Sequence, residues 1–217
     1  MTRDQKLVLV TGGNSGIGFE CARRLAKERH GVIIASRDRE ASARAVERIR
    51  QETGNAGVLE MGLDLGSIAA VRAFAQEVAA RDLRIHAIVC NAGLQAGRGP
   101  TLSPDGFERT FAVNHLGHFL LVNLLLRRLL SNAPARIAVV ASGVHDPQQR
   151  TGMPKPDIGH FDVLAATGGP RRDAFDGRLA YVNSKLCNLW FTYELVRRIA
   201  AAGIAGKAHP LSVTAFD

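Results

Sequence analysis

The sequence predicts a single α/β domain of three layers, in which helices cover both faces of a doubly wound parallel sheet. Short runs rich in β-branched residues alternate with longer amphipathic stretches, a pattern that gives right-handed crossovers and a parallel sheet. A glycine-rich loop joins the first run to the first amphipathic stretch. A length of 217 residues, with 46% hydrophobic and 22% charged residues, suits one globular domain.

Each element is predicted from its own pattern, in chain order. The first apolar run leads straight into Thr-Gly-Gly, and each later run is separated from the next by a helix-length segment. The last helix has one apolar face, with hydrophobic residues three and four apart from Leu186 to Ile199. The predicted strands are Lys6–Val10, Val32–Ala35, Val58–Leu63, Ile85–Cys90, Arg136–Ala141 and Leu211–Phe216, and the helices lie near Gly18–Glu28, Glu40–Glu52, Ile68–Arg81, Phe107–Leu130 and Tyr181–Ala201.

One segment interrupts this alternation. Residues 143–179 are rich in proline, glycine and polar residues, and loops of that length are functional or disordered. We predict that this insert helps to cover the substrate. No repeat or linker divides residues 1–217, so they are predicted to form one dinucleotide-binding domain.

Charge, cysteines and hydropathy exclude several classes of function. The net charge of +8 is spread along the predicted helix faces, which favours a solvated basic surface over nucleic-acid binding. Three scattered cysteines without a CxxC pair indicate reduced thiols and a cytoplasmic location, with Cys90 and Cys187 buried. The apolar segment Phe119–Leu126 is too short for a membrane span. His115 and His118 lie three residues apart without a matching carboxylate or cysteine, so we predict hydrogen-bonded histidines and no metal site.

The loop Thr11–Gly18 predicts a phosphate site. Its glycines allow a tight turn and a close approach of the backbone to a pyrophosphate, and the positive end of the next helix favours the anion. A plain β–α turn is the alternative, but the position between first strand and first helix favours a Rossmann-type dinucleotide site. The predicted cofactor-binding residues of this loop are Gly12, Asn14, Ser15, Gly16, Ile17 and Gly18.

The end of the second strand favours NADP(H) over NAD(H). An NAD-selective domain places an acidic residue there, whereas this sequence has Ser36 followed by Arg37. A guanidinium group suits a 2′-phosphate because it stays charged and can bond through two N–H groups. Asp38 weighs against this choice, and a solvated surface role for Arg37 is the alternative.

Two residues four apart predict general acid–base chemistry. Tyr181 and Lys185 share one face of the last helix, and a cation beside a phenol favours the phenolate. Carbonyl reduction needs such an acid, because a hydride reaches carbon while a proton reaches oxygen. Ser142 follows the fifth strand, at the sheet edge where open α/β sheets bind ligands, although a serine there can also be a simple turn residue.

Together these motifs resemble the short-chain dehydrogenase/reductase family over essentially the whole chain. Within it the chain looks most like the branch of retinol dehydrogenases, protochlorophyllide reductases and WW-domain-type oxidoreductases, because of Val113–Phe119, Thr151–Pro156 and Tyr181–Asn188. The motifs that carry the resemblance are Thr11–Gly18, Asn91-Ala92-Gly93, Asn114, Ser142 and Tyr181-x3-Lys185.

The resemblance implies roles for the residues on the nicotinamide side. Tyr181 would donate or accept the proton, and Lys185 would favour its phenolate and hold the nicotinamide ribose. Ser142 would orient the carbonyl or alcohol, and Asn114 would hold the backbone and the water through which the proton leaves. A small carbonyl or alcohol substrate is therefore expected.

On the adenosine side, the resemblance implies that Asp64 and Leu65 bond the adenine ring and that Asn91, Ala92 and Gly93 line the cleft. Asp64 could instead cap the helix near Ser67, and Asn91 and Gly93 could be turn residues. The helices Phe107–Leu130 and Tyr181–Ala201 could pack against a second copy, as in many relatives, so a homodimer stays open.

The sequence departs from the family at its end. The family continues past its sixth strand into a Pro-Gly segment that contacts the nicotinamide, a seventh strand and a lid, whereas this chain ends at Asp217. The fold is therefore expected to lack the family's last strand. Two functions follow: an NADP(H)-dependent oxidoreductase acting on a carbonyl or an activated double bond, or a catalytically silent dinucleotide-binding or regulatory protein.

Overall fold

The middle layer of the protein is a six-stranded parallel sheet. The computed structural model describes residues 5–95, 99, 101–146, 148–158, 175–203 and 211–216. In space the strand order is β3-β2-β1-β4-β5-β6, so the chain reverses its winding direction between β1 and β4. A crevice opens at such a switch point, beyond the carboxyl ends of the strands. The strands are β1 (Leu7–Thr11), β2 (Gly31–Ser36), β3 (Val58–Gly62), β4 (Ile85–Cys90), β5 (Ala135–Val140) and β6 (Leu211–Phe216).

Helices form the two outer layers. A π-helical turn, Ala112–Leu116, links two of them, and a 3₁₀ turn, Gly143–His145, follows β5. No helix in the described ranges is long and apolar enough to cross a membrane. The helices are α1 (Gly16–Lys27), α2 (Arg39–Thr53), α3 (Ile68–Ala80), α4 (Arg109–Phe111), α5 (Gly117–Ser131) and α6 (Gly177–Ala201).

The central strands are buried on both faces, which explains their continuous apolar runs. Successive side chains of a strand point to opposite faces, so β1 contributes to two separate cores. Leu9 joins the core that includes Phe74 and Leu125, while Val8 and Val10 join the core that includes Phe19 and Ile49. Cys90 and Cys187 are buried, as predicted.

The predicted fold class is confirmed, and each of the six strands lies within one residue of its predicted bounds. The single predicted helix Phe107–Leu130 is wrong, because the π turn interrupts it. In that turn the N–H of Gly117 donates a hydrogen bond to the carbonyl of Ala112, five residues earlier. A Cβ atom at Gly117 would lie 2.3 Å from the Leu65 carbonyl oxygen, so the helix passes the β3–α3 loop at a distance that only glycine permits.

The insert predicted at 143–179 is shorter than expected. Its last residues, Gly177–Leu179, belong to α6, which begins where the Asp176 side chain accepts a hydrogen bond from the N–H of Arg178. Residues 143–146 and 148–158 of the insert are described. Pro147, residues 159–174 and Asp217 lie outside the described residues.

Candidate active site

The glycine-rich loop places the beginning of α1 against the crevice. Gly12 and Gly16 have φ angles of +64° and +54°, which favour glycine. A Cβ atom at Gly18 would lie 2.3 Å from the Gly12 carbonyl oxygen, so the loop is folded tightly on itself. The Ser15 side chain makes no capping hydrogen bond to α1. The first N–H groups of α1 and the positive end of its dipole are therefore available to an anion.

Thr11 and Asn91 fasten the ends of β1 and β4 to each other. The Thr11 hydroxyl oxygen accepts the N–H of Asn91 (2.9 Å) and of Ala92 (3.0 Å). The Asn91 side chain donates to the Thr11 carbonyl at 3.0 Å. Asn91 thus does more than form a turn, because it holds the two strands that border the crevice in register.

The end of β2 brings two charged side chains to the crevice, Arg37 and Asp38. The buried Ser36 hydroxyl lies 2.7 Å from that of Ser42, and the Asp38 carboxylate caps α2 by accepting the N–H of Ala41 at 2.9 Å. Arg37 is exposed, and within the described parts of the chain its guanidinium group has no ion-pair or hydrogen-bond partner. Asp38 therefore has a structural partner, while Arg37 remains available to a ligand.

The loop after β3 brings Asp64 and Leu65 to the crevice. The Asp64 carboxylate accepts the N–H of Gly66 at 2.9 Å, and the cap of α3 is the Ser67 hydroxyl, which accepts the N–H of Ala70. The alternative in which Asp64 caps that helix is therefore wrong.

The loops at this edge of the sheet enclose a cleft of about 470 Å³, a size typical of ligand sites. The cleft is lined by Gly12, Asn14, Ser15, Ile17, Gly18, Ala35, Ser36, Arg37, Asp38, Leu63, Asp64, Leu65, Asn91, Ala92, Gly93, Leu94 and Val113.

Asn114 lies in the π turn and is completely buried. Its side chain accepts the N–H of Leu94 and donates to the Leu94 carbonyl, both at 2.8 Å. It also donates to the Ser184 hydroxyl at 3.0 Å, and that hydroxyl donates to the carbonyl of Tyr181. Asn114 therefore joins the loop after β4 to the first part of α6.

The ammonium group of Lys185 belongs to a buried residue of α6. Its side chain is 4% exposed, and Nζ donates to the Val140 carbonyl at 3.0 Å. Burial lowers the pKa of this ammonium group to about 8. Lys185 Nζ lies 5.5 Å from the centre of the Tyr181 ring. A Cβ atom at Gly93 would lie 3.7 Å from the same Nζ. The structure thus brings Lys185, Tyr181 and Gly93 together.

Ser142 follows β5 two residues after Val140, the residue that Lys185 contacts. Its backbone carbonyl accepts both the N–H and the ring Nδ1–H of His145, whereas its hydroxyl group makes no capping bond to the turn. Ser142 is therefore held through its backbone at the carboxyl edge of the sheet.

The described part of the insert is attached to α6 close to Tyr181. The Asn183 side chain accepts the N–H of Asp157 at 2.9 Å and donates to the carbonyl of Asp157 at 2.7 Å. Arg178 also donates to the Gly152 carbonyl. The described part of the insert is therefore hydrogen-bonded to the helix that contains Tyr181 and Lys185.

Three polar residues of the site have no predicted role: Asn183, Ser184 and Asn188. Thr11 belongs to the predicted phosphate loop, but its hydrogen bonds to Asn91 and Ala92 were not predicted. Asn188 lies 3.1 Å from His115 Nδ1 and donates to the Val140 carbonyl. The one signal in the sequence is that these three residues lie between the apolar positions of α6, whereas their burial is visible only in the folded chain. His115 and His118 are both hydrogen-bonded, as predicted, and within the described ranges no three metal-ligating side chains converge.

Comparison with known proteins shows the family of this chain. The family model for short chain dehydrogenases matches residues 6–152. The human WW domain-containing oxidoreductase is 42% identical over 206 residues, which are 94% of this chain and 48% of that protein. Mouse retinol dehydrogenase 12 is 40% identical over 94% of this chain and 60% of its own length. The chain thus spans about half to three fifths of these relatives.

A solved structure gives the same result for the fold. An uncharacterized protein from Mycobacterium paratuberculosis superimposes with a TM-score of 0.78 at 36% identity, over 97% of this chain and 67% of that one.

Proposed function

Because the chain belongs to the short chain dehydrogenase family, we propose that it is an NADP(H)-dependent oxidoreductase that interconverts a carbonyl and an alcohol, or reduces an activated double bond. The observation that carries this proposal is the buried ammonium group of Lys185 beside Tyr181, at the sheet edge that also holds the glycine-rich loop. A proton donor next to a dinucleotide cradle is the combination that carbonyl reduction needs.

The residues of the crevice fit a dinucleotide. The tight turn at Gly12 and Gly18 leaves the backbone open to a pyrophosphate, and the uncapped N–H groups of α1 supply donors to it. Arg37 suits a 2′-phosphate, because its side chain is exposed at the cleft and the adjacent Asp38 carboxylate already caps α2. These contacts support NADP(H) over NAD(H).

The proton transfer is assigned to residues of this chain. When bound, the nicotinamide supplies the hydride that reaches the substrate carbon. Tyr181 donates its proton to the substrate oxygen, and the Lys185 ammonium stabilises the phenolate that remains. Ser142 donates a hydrogen bond to the same oxygen and orients it. Asn114 fixes the loop after β4 relative to α6, so that the two sides of the crevice keep their spacing.

The test is Tyr181→Phe, with Tyr193→Phe as its matched control. Tyr193 is the other tyrosine of the chain, lies on the same helix and is 62% exposed. NADPH oxidation is measured with a panel of aldehydes and ketones that includes retinal, since one relative is named a retinol dehydrogenase. General acid–base catalysis contributes about 10²–10⁴-fold, so turnover should fall by that factor in Tyr181→Phe, while calorimetry should still detect NADPH binding.

Two results would oppose the proposal. Turnover that persists in Tyr181→Phe would remove the role of that residue. Tight NADPH binding by the parent chain without oxidation by any carbonyl would favour a catalytically silent dinucleotide-binding protein.

A further inference from the structure

His118 connects three parts of the site through one buried ring. It lies on α5, and its side chain is 1% exposed. Its Nε2 is 2.8 Å from the Thr11 hydroxyl oxygen, at the end of β1. Its Nδ1 is 3.0 Å from the Asn114 carbonyl oxygen, in the π turn. The Thr11 hydroxyl in turn holds the N–H groups of Asn91 and Ala92 after β4.

The partners decide which nitrogen carries the proton. A carbonyl oxygen only accepts hydrogen bonds, so Nδ1 must donate to Asn114. In a neutral imidazole Nε2 is then an acceptor, and the Thr11 hydroxyl donates to it. The neutral form is the one expected, because burial lowers the pKa of His118 to about 4.

This assignment also gives the proton and both lone pairs of the Thr11 hydroxyl a hydrogen-bond partner. Its hydroxyl oxygen has two lone pairs and one proton. The lone pairs accept the N–H groups of Asn91 and Ala92, and the proton goes to His118 at 2.8 Å in preference to the Val89 carbonyl at 3.3 Å. With the opposite tautomer, three donors would compete for the two lone pairs, and Nδ1 would face the Asn114 carbonyl without a proton between them.

We infer that His118 is a positioning residue that sets the spacing between the dinucleotide-binding loops and the Asn114 turn. On one side the ring fixes Thr11 and, through it, Asn91 and Ala92, which line the cleft. On the other side it fixes Asn114, whose side chain bonds Ser184 next to Lys185. The catalytic contribution of this spacing rests on the proposed oxidoreductase function, whereas its effect on the dinucleotide loops requires only that the chain binds NADPH.

Two substitutions separate the two ends of the ring. His118→Gln keeps an acceptor for the Thr11 hydroxyl and loses the donor to Asn114. His118→Asn keeps a donor close to the Asn114 carbonyl and loses the acceptor for Thr11. Each lost hydrogen bond corresponds to roughly a three- to tenfold effect. We expect His118→Asn to raise the Kd of NADPH more than it lowers kcat, and His118→Gln to lower kcat more than it raises that Kd.

Thr11 provides a second approach to the same hydrogen bond. Thr11→Val removes the hydroxyl and should weaken NADPH binding at least as much as His118→Asn does, because the N–H groups of Asn91 and Ala92 also lose their acceptor. The two changes together should cost less than the product of their separate effects. Thr11→Ser restores the hydroxyl and should recover most of the affinity. His86→Asn is the control, because His86 also bonds β1, although at the opposite end of that strand and to the backbone, where its Nδ1 accepts the N–H of Leu7.

The outcomes distinguish this inference from the proposed function. Equal losses of kcat and NADPH affinity in the Gln and Asn variants would overturn the positioning role. So would effects of Thr11→Val and His118→Asn that multiply independently, and this measurement remains decisive if one His118 variant does not fold. A parent chain that binds NADPH but reduces no carbonyl would overturn the proposed function alone, and the affinity measurements would still decide the role of His118.

Discussion

Lys185 holds its positive charge where burial opposes that charge. The residue is buried, and Nζ has the Val140 carbonyl as its hydrogen-bond acceptor. Burial lowers the pKa of the ammonium group from 10.5 to about 8. The group is therefore charged below about pH 8 and loses its charge as the pH rises through that value. In the proposed mechanism, this pKa of Lys185 makes the proton transfer sensitive to pH just above neutrality.

We predict that kcat/KM for NADPH-dependent carbonyl reduction falls as the pH rises above about 8, because the neutral amine no longer stabilises the Tyr181 phenolate. In Lys185→Arg the guanidinium group stays charged, so the decline should move to higher pH even though the rate at neutral pH is lower. The measurement is a pH profile of both proteins with one substrate. A decline at the same pH in both would assign it to another group.

At the scale of the element, α6 combines several tasks within one turn and a half. Tyr181 and Lys185 share a face, Asn183 holds the insert, and Ser184 holds Asn114. These tasks require polar side chains to be buried on more than one side of the helix. This helix is therefore not a simple amphipathic one, and its position is fixed by hydrogen bonds as well as by apolar packing.

We predict that Asn183→Ala releases the segment around Asp157. The substitution removes both hydrogen bonds to the backbone of Asp157, each of which contributes about 0.5–1.5 kcal/mol. The Asp157 amide should then exchange its hydrogen faster, and the KM for the carbonyl substrate should rise more than the Kd of NADPH. Hydrogen exchange followed by mass spectrometry measures the first effect. Asn123→Ala is the control, because within the described residues Asn123 bonds only its own helix, at Phe119. Unchanged exchange at Asp157 would show that other contacts hold the insert.

The elements themselves could be predicted from the sequence, because their lengths follow from hydrophobic periodicity and from the turn residues between them. The π turn could not, since one extra residue hardly changes the apolar period of a helix, and the close approach of Gly117 to Leu65 joins residues that are distant in sequence. For the site, the glycine loop, Tyr181 and Lys185 are recognisable from their spacing. His118 and Asn183 are not, because their partners lie 107 and 26 residues away.

At the scale of the whole molecule, the sheet separates two apolar cores and ends at the crevice. The cleft draws its lining from loops after β1, β2, β3 and β4, which come together only in the folded chain. A dinucleotide bound there contacts the native state and has no comparable site in the unfolded chain. Its binding free energy is therefore added to the free energy of unfolding.

We predict that NADPH at about 100 times its Kd stabilises the chain by about 2.7 kcal/mol, which for a domain of this size raises the Tm by roughly 5–11 °C. NADH at the same concentration should raise it less, because it has no 2′-phosphate for Arg37. Thermal unfolding of Arg37→Gln should show the two dinucleotides giving similar shifts, whereas Arg44→Gln, an exposed arginine of α2 beside Glu40, should behave as the parent. If the parent responds equally to both dinucleotides, Arg37 does not select the cofactor. If it responds to neither, the crevice does not bind a dinucleotide in this chain.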